Sequence, residues 1–249
     1  MNKNKVVIAS LSALISTSVV AGSMGPVQQP SSWSPVLTLS GGPAWNNNAP
    51  TQTIKLQPTV ANTYNGKSSN QVLADGELFL GMQRLFNNKY TGQLGFAVAA
   101  TSNAHLNGDV WVDADPAFNN FTYAYKVQHT HVAVKGKVLG DYGLMVTPYL
   151  SGSVGVGFNR AHAFTATPKI STEIADPPFQ AHTTTAFTYT VGAGIQRAIN
   201  NHVQLGVGYE FADWGKSQLA RATGQTLNNV LGLSNLYTNA LKFSVSITA

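Results

Sequence analysis

The chain has 249 residues, no cysteine, only 10% charged residues and a formal net charge of +5. Without thiols it cannot form a disulfide framework, a Cys-based zinc site or a thiol nucleophile. Its basic residues are scattered rather than gathered in a run or patch, which argues against a nucleic-acid partner.

Met1 to Ala21 reads as a secretory signal peptide. Lys3 and Lys5 give a basic start, Val6 to Val20 is an apolar run diluted by Ser and Thr, and Val19-Val20-Ala21 supplies small residues before a cut. At about fifteen residues that run is short for a spanning helix, which needs about 20. Residues 22–35 form a Pro/Ser/Gln-rich lead placed in the periplasm, and residues 36–249 form the body of the protein.

The body alternates strand patterns with polar connections. A first strand runs from about Val36 to Trp45, and the polar segment Asn46 to Leu73 follows as a long loop in which Thr53 to Gln57 extends a strand. Strand two, about Ala74 to Phe86, sets Leu78, Leu80 and Met82 against Glu77, Phe79, Gly81 and Gln83. Asn87-Asn88-Lys89 then turns the chain into strand three, about Tyr90 to Thr101. After a second loop, Asn103 to Asn120, strand four runs from about Phe121 to Leu139. Phe121, Tyr123, Tyr125 and Val127 share one face of it while Val132 and Val134 lie on the other, so a bulge near His129-Thr130-His131 is expected. Strand five, Leu144 to Asn159, puts Leu150, Val154, Val156 and Phe158 outward. The loop Arg160 to His182 is broken by Pro168, Pro177 and Pro178.

Thr183 to Trp214 carries the clearest signal. Phe187, Tyr189, Val191, Ala193 and Ile195 alternate with Thr188, Thr190, Gly192, Gly194 and Gln196. After the turn Ile199-Asn200-Asn201-His202, Val203, Leu205, Val207, Tyr209 and Phe211 alternate with Gln204, Gly206, Gly208 and Glu210. A strict period of two on both sides of a tight turn is a β-hairpin. The loop Gly215 to Asn235 has room for one short helix within Ser217 to Leu233, and strand eight runs from Leu236 to Ala249.

Eight strands joined by alternating long and short connections, each apolar on one face and small or polar on the other, define the expected fold class. It is all-β: an eight-stranded antiparallel up-and-down transmembrane β-barrel with four long extracellular loops. Tyr123, Tyr125, Phe158, Phe187, Phe211, Trp214 and Tyr237 fall at the long-loop ends of their strands, the expected aromatic belt at the outer interface. A soluble sandwich or lipocalin-like barrel would need a charged outer face, and the polar face here is Gly, Ser, Thr and Gln.

Gly192 to Gly215, Val146 to Phe158 and Asn239 to Ile247 resemble the small outer-membrane β-barrel family of Gram-negative bacteria, the opacity-type surface antigens and OmpA/OmpX-like barrels. The resemblance covers nearly the whole chain after residue 21. It implies an outer-membrane location, contact with outer-membrane lipid and lipopolysaccharide and insertion by the barrel-assembly machinery, and is nearly silent on activity; a monomer with a structural or surface antigen/adhesin-like role is expected from the long loops. It implies no cell-wall-tethering domain. Such barrels usually end on an aromatic residue that the machinery reads. This sequence departs from that pattern with Ile247-Thr248-Ala249, so either Phe243 carries the signal or assembly is less standard than the fold implies.

Glu77, Lys126, Glu210 and Lys242 occupy polar-face positions and are expected to form an interior charge network, with Glu210 and Lys242 as a direct pair. An eight-stranded barrel is just wide enough for its own side chains, so such a network reads as a plug; a narrow channel or porin-like conduit for small solutes is the alternative. His129-x-His131 lacks a third ligand at metal spacing, and Asp109, Asp113 and Asp115 lack the pattern of a calcium loop, so no metal and no cofactor is expected. A lipid-facing Ser-His-carboxylate constellation is also missing; Ser102 and His105 sit at a loop start, and no enzyme activity is expected. The long loops, with Trp111, Phe118, Phe164, Phe179 and Leu231, are left as the surface for an extracellular partner.

Overall fold

The structure is a computed structural model that describes residues 32–46, 50–67, 71–87 and 89–249. The expected signal peptide (1–21) and residues 22–31 of the lead lie outside the described residues, and Ser34 and Pro35, expected in the lead, begin the first strand. In chain order the first strands are β1 (Ser34–Asn46), β2 (Thr51–Gln57), β3 (Val60–Lys67), β4 (Val72–Leu85), β5 (Tyr90–Thr101) and β6 (Ala104–Trp111). After two 3-10 turns come β7 (Phe121–Gly140), β8 (Thr147–Pro168), β9 (Phe179–Gln180), β10 (His182–Ala198) and β11 (Val203–Asp213). The short β12 (Ser217–Gln218), β13 (Ala220–Ala222) and β14 (Gly232–Leu233) precede the last strand, β15 (Tyr237–Thr248).

Eight of these strands close a ring in the order β1-β4-β5-β7-β8-β10-β11-β15, every pairing antiparallel. The seam is the pairing of β1 with β15, in register from Val36 opposite Thr248 to Asn46 opposite Thr238. Closure removes both sheet edges, so the strands have no unpaired side to offer water or another chain. In the lower part of the ring, side chains of the expected parity face out. Leu80, Phe96, Val134 and Val154 lie side by side through the registers of β4, β5, β7 and β8, and all are exposed. Thr38, Ser153, Thr190 and Ser246 on the opposite parity are buried in the bore. A continuous apolar surface around a polar interior belongs to a barrel whose solvent is the bilayer.

The long connections are built differently from the expectation. β2, β3 and β6 continue the barrel strands: β2 pairs β3, β3 pairs β6, and β6 pairs the upper half of β7. β8 likewise runs past Asn159 to Pro168, still paired to β7. The barrel wall therefore rises beyond the apolar band on this side. The segment Ser217–Leu233 holds the short strands β12, β13 and β14 in place of the expected helix. Leu144 and Val146, expected within strand five, precede β8.

The bulge expected near His129 is not there. The odd-numbered residues of β7 face inward from Phe121 through Lys135 without interruption. The irregularity lies between Ala124 and Lys126, opposite Ala163 of β8, whose φ of 55° marks the extra residue. What changes near His129 is the polarity of the interior, apolar above and polar below.

A lipid-facing charge and a water-facing one should separate the two zones. Leu80→Arg is expected to lower stability by about 2–4 kcal/mol, as for a cation near the bilayer midplane. Thr122→Arg, on the outer face of the raised wall, should stay within about 0.5 kcal/mol. Urea titration of the folded, heat-modifiable gel band in lipid checks both.

Candidate functional site

The bore holds two layers of chemistry. The lower is an ion cluster. Lys135 Nζ donates to Glu77 Oε1 at 2.6 Å and to Glu77 Oε2 and Glu210 Oε2, each at 2.9 Å. Lys242 Nζ lies 2.8 Å from Asp75 Oδ1 and 3.4 Å from Glu210 Oε1; the Asp75 contact is an ion pair outside hydrogen-bond angles. Lys137 Nζ donates to Gln196 Oε1 at 2.6 Å and sits 3.9 Å from the centre of the Tyr149 ring. Four strands, β4, β7, β11 and β15, contribute the charges, and the alternation of each one turns them inward. Buried charges persist only when paired in this way. A cavity of about 50 Å3 remains, lined by Thr38, Gln93, Lys137, Tyr149 and the cluster itself.

Of the residues expected here, Glu77, Glu210 and Lys242 lie in this cluster and Lys126 does not. Lys126 shares the outward parity of β7, half exposed in the raised wall. The phase slip assumed for this strand would have turned it inward; without the slip the interior lysine is Lys135. Lys135 and Asp75 were legible in principle, because strict alternation from Phe121 and from Glu77 puts both on the interior face.

The upper layer is a hydrophobic core inside the raised wall. Tyr64, Phe121, Tyr123, Tyr125, Phe164 and Phe179 are buried in it, and Leu219, Leu231, Leu233 and Leu236 close it from the last long connection. Tyr64 meets Tyr123, Phe164 and Phe179 edge-on at 5.4–6.3 Å. Burial pushes the Tyr123 phenol up to about 12, so the ring stays neutral.

Where the layers meet, Trp214, 1% exposed, stacks on His129 with centroids 4.6 Å apart and planes 4° from parallel. His129 Nδ1 is 2.6 Å from Asn159 Oδ1, and its Nε2 is 2.9 Å from His131 Nδ1. Asn159 Nδ2 donates to the carbonyls of Trp214 and Lys216. Gly215 follows Trp214 at a φ of +72°, and a Cβ there would lie 2.4 Å from the Phe187 carbonyl oxygen. The glycine is thus required to turn the chain so that Trp214 enters the bore.

The aromatic belt divides accordingly. Phe158, Phe187, Phe211 and Tyr237 lie on the outward face, and Phe187, Tyr189, Phe211 and Tyr237 form a row of rings 5.8–6.3 Å apart. Tyr123, Tyr125 and Trp214 are interior, a correction to the expected belt. Beyond the bilayer the barrel's inside is drier than its outside, so large rings gain by facing in.

Among the loop residues, Phe164, Phe179 and Leu231 are buried core and Phe118 is exposed. Asp109 is not a solvated loop carboxylate. It is buried on the outer face of β6, with Lys169 at 2.8 Å and Lys67 at 3.0 Å. Burial works to raise its pKa, but the hydrogen bonds and charges of Lys169 and Lys67 outweigh it and hold the carboxyl below its ordinary range. Among the described residues no group of three or more His, Asp or Glu side chains is placed to hold a metal.

No family model and no curated protein matches this sequence. Solved structures do. The Neisserial surface protein A structure matches 86% of this chain and 96% of its own at 13% identity and a TM-score of 0.40. The outer membrane protein OprG of Pseudomonas aeruginosa matches 85% and 95% at 16% identity and 0.44. The outer membrane protease OmpT of Escherichia coli matches 87% and 96% at 10% identity and 0.43. This chain folds as a small eight-stranded antiparallel β-barrel. The similarity extends to the fold alone.

Lys135→Met should cost about 3–5 kcal/mol, because it strands Glu77 and Glu210 without their shared cation. Lys126→Met should change stability by less than about 0.5 kcal/mol. Denaturant titration in lipid of both variants checks this. Asp109, with its depressed folded pKa, stabilises the raised wall fully above the ordinary carboxylate range, and that contribution is lost as pH falls through the folded value. Limited proteolysis of the outer segments should therefore accelerate on acidification, and Asp109→Asn should cleave fast even at neutral pH.

Proposed function

We propose that this outer-membrane barrel is a closed scaffold that acts through its extracellular surface, in a structural or surface antigen/adhesin-like role, without catalysis. One observation carries the reading: the bore is filled at two heights. The ion cluster leaves a cavity of only about 50 Å3, room for about three waters. Above it the aromatic core shuts the mouth. The opposing reading, a narrow conduit for small solutes, would require both layers to open, breaking paired buried charges and exposing the core to water.

In this reading residues 1–21 direct export, residues 22–33 lie in the periplasm, and the barrel-assembly machinery inserts the rest as a monomer. The outward band meets lipid and lipopolysaccharide, with Phe158, Phe187, Phe211 and Tyr237 at the outer interface. Glu77, Glu210, Lys242, Lys135 and Asp75 act as a plug. Phe118, Ile170 and Ile174, exposed on the outer connections, offer a partner apolar contact. No cofactor takes part.

Reconstitution in planar bilayers is the test. The folded protein is expected to show no discrete openings, and Lys135→Ala combined with Glu210→Ala is expected to stay silent as well, because the aromatic core above still shuts the mouth. Reproducible unitary conductance in the unaltered protein would overturn the closed-scaffold reading in favour of the conduit.

A further inference from the structure

The outer rim holds a second pocket, of about 650 Å3, between β2 and the segment that carries β12 and β14. That volume lies within the ~300–1,000 Å3 range of small-ligand sites. Half of its polar lining is amide (Gln52, Gln218, Asn228 and Asn229), with Thr53, Ser217 and Ser234 as hydroxyls, Lys216 as the cation and no carboxylate. Ile54, Val230 and Leu233 add apolar surface.

The pocket is held by bonds that involve its own walls. Gly232 N donates to Gln52 Oε1 at 3.0 Å, tying β14 to β2. Thr226 N donates to the Leu56 carbonyl at 3.2 Å, and Leu219 N donates to the Leu231 carbonyl at 2.9 Å. Gln225 Nε2 donates to the carbonyls of Leu227 and Asn229, bracing the turn that presents Asn228 and Asn229. Ser217, which also lines the pocket, is 1% exposed, and its hydroxyl is sealed from solvent, so it forms part of the wall and makes no ligand contact.

The donor set narrows the ligand. Amides and hydroxyls both donate and accept, which matches sugar hydroxyls that do the same. An apolar ligand would leave these groups unpaired. A cationic ligand finds no carboxylate in the lining, and a doubly charged phosphate finds one cation where clusters are the rule. We propose that this pocket binds a carboxylated sugar, with Lys216 pairing the carboxylate and Gln52, Gln218, Asn228 and Asn229 meeting the ring hydroxyls. The inference rests on the outward-surface reading and gives it a ligand class. The sugar comes either from lipopolysaccharide of the same membrane or from the glycan of another cell.

The test uses the full barrel folded in detergent, with titration calorimetry. The probes are 3-deoxy-octulosonic acid, standing for the first source, N-acetylneuraminic acid for the second, and glucose as the uncharged control. At least one acid should bind saturably, and whichever binds more tightly identifies the source. Glucose should bind about tenfold more weakly, the value of one charge-assisted hydrogen bond. Lys216→Gln should weaken the acid about tenfold and leave glucose unchanged. Gln218→Ala should weaken both acid and glucose, whereas Lys55→Gln, on an exposed residue of β2 outside the pocket, should weaken neither. Heat-modifiable mobility confirms that each variant is folded. Absence of saturable binding by either acid, or an equal loss from Lys55→Gln, overturns the proposal.

Because the chain has no cysteine, Asn228→Cys can be labelled alone on intact cells with a membrane-impermeant maleimide. Labelling without sugar binding overturns this inference and leaves the outward-surface reading standing. Failure to label overturns both.

Discussion

Hydrogen-bond closure of the ring is the constraint on which everything else depends. Hydrocarbon offers no partner for a peptide N–H or C=O, so each strand in the apolar band must be flanked on both sides. Here the pairing of β1 with β15 completes that condition. Once the ring is closed, side-chain direction is no longer negotiable. Residues two apart share a side, and a strand can change sides only through a bulge such as the one opposite Ala163.

The ring passes through two solvents, and its parity does not change between them. Inside the bilayer, apolar side chains gain by facing out, and the bore fills with Thr, Ser, Gln and paired charges. Above it, water bathes the outer wall, and the bore is roofed by Leu219, Leu231, Leu233 and Leu236. The same inward positions then favour Tyr, Phe and Trp. β7 runs through both regimes, which is why one unbroken face of one strand carries Tyr123 and Tyr125 at one end and Lys135 at the other. Trp214 stacked on His129 marks the level at which the regimes exchange.

Occlusion of the bore follows from the same constraint. Asp75, Glu77 and Glu210 pair with Lys135 and Lys242, and Lys137, hydrogen-bonded to Gln196 beside them, brings the lysines to three. In so narrow a ring, charges that must pair have no direction in which to reach except across the middle. Filling the channel is therefore the cost of enclosing them. The raised wall then frees the outer connections from any role in sealing the membrane, which is what the proposed outward-surface role requires.

The hairpin Thr183 to Trp214, the strand count and the outward apolar faces were legible in the amino-acid order, because period two is a local property of an extended chain. Glu77, Glu210 and Lys242 were placed by that same count. Lys126 and the tyrosines of β7 were misread because apolar residues were assumed to face out along the whole strand. That assumption fails where the bilayer ends, and no local pattern records that height. The sequence by itself determined that this chain makes an eight-stranded barrel with polar contents, since alternation and turn chemistry act between near neighbours. Only the tertiary structure decided which charges meet across the bore, and that the wall continues as a roofed, apolar-cored rim, since both depend on segments far apart in the chain.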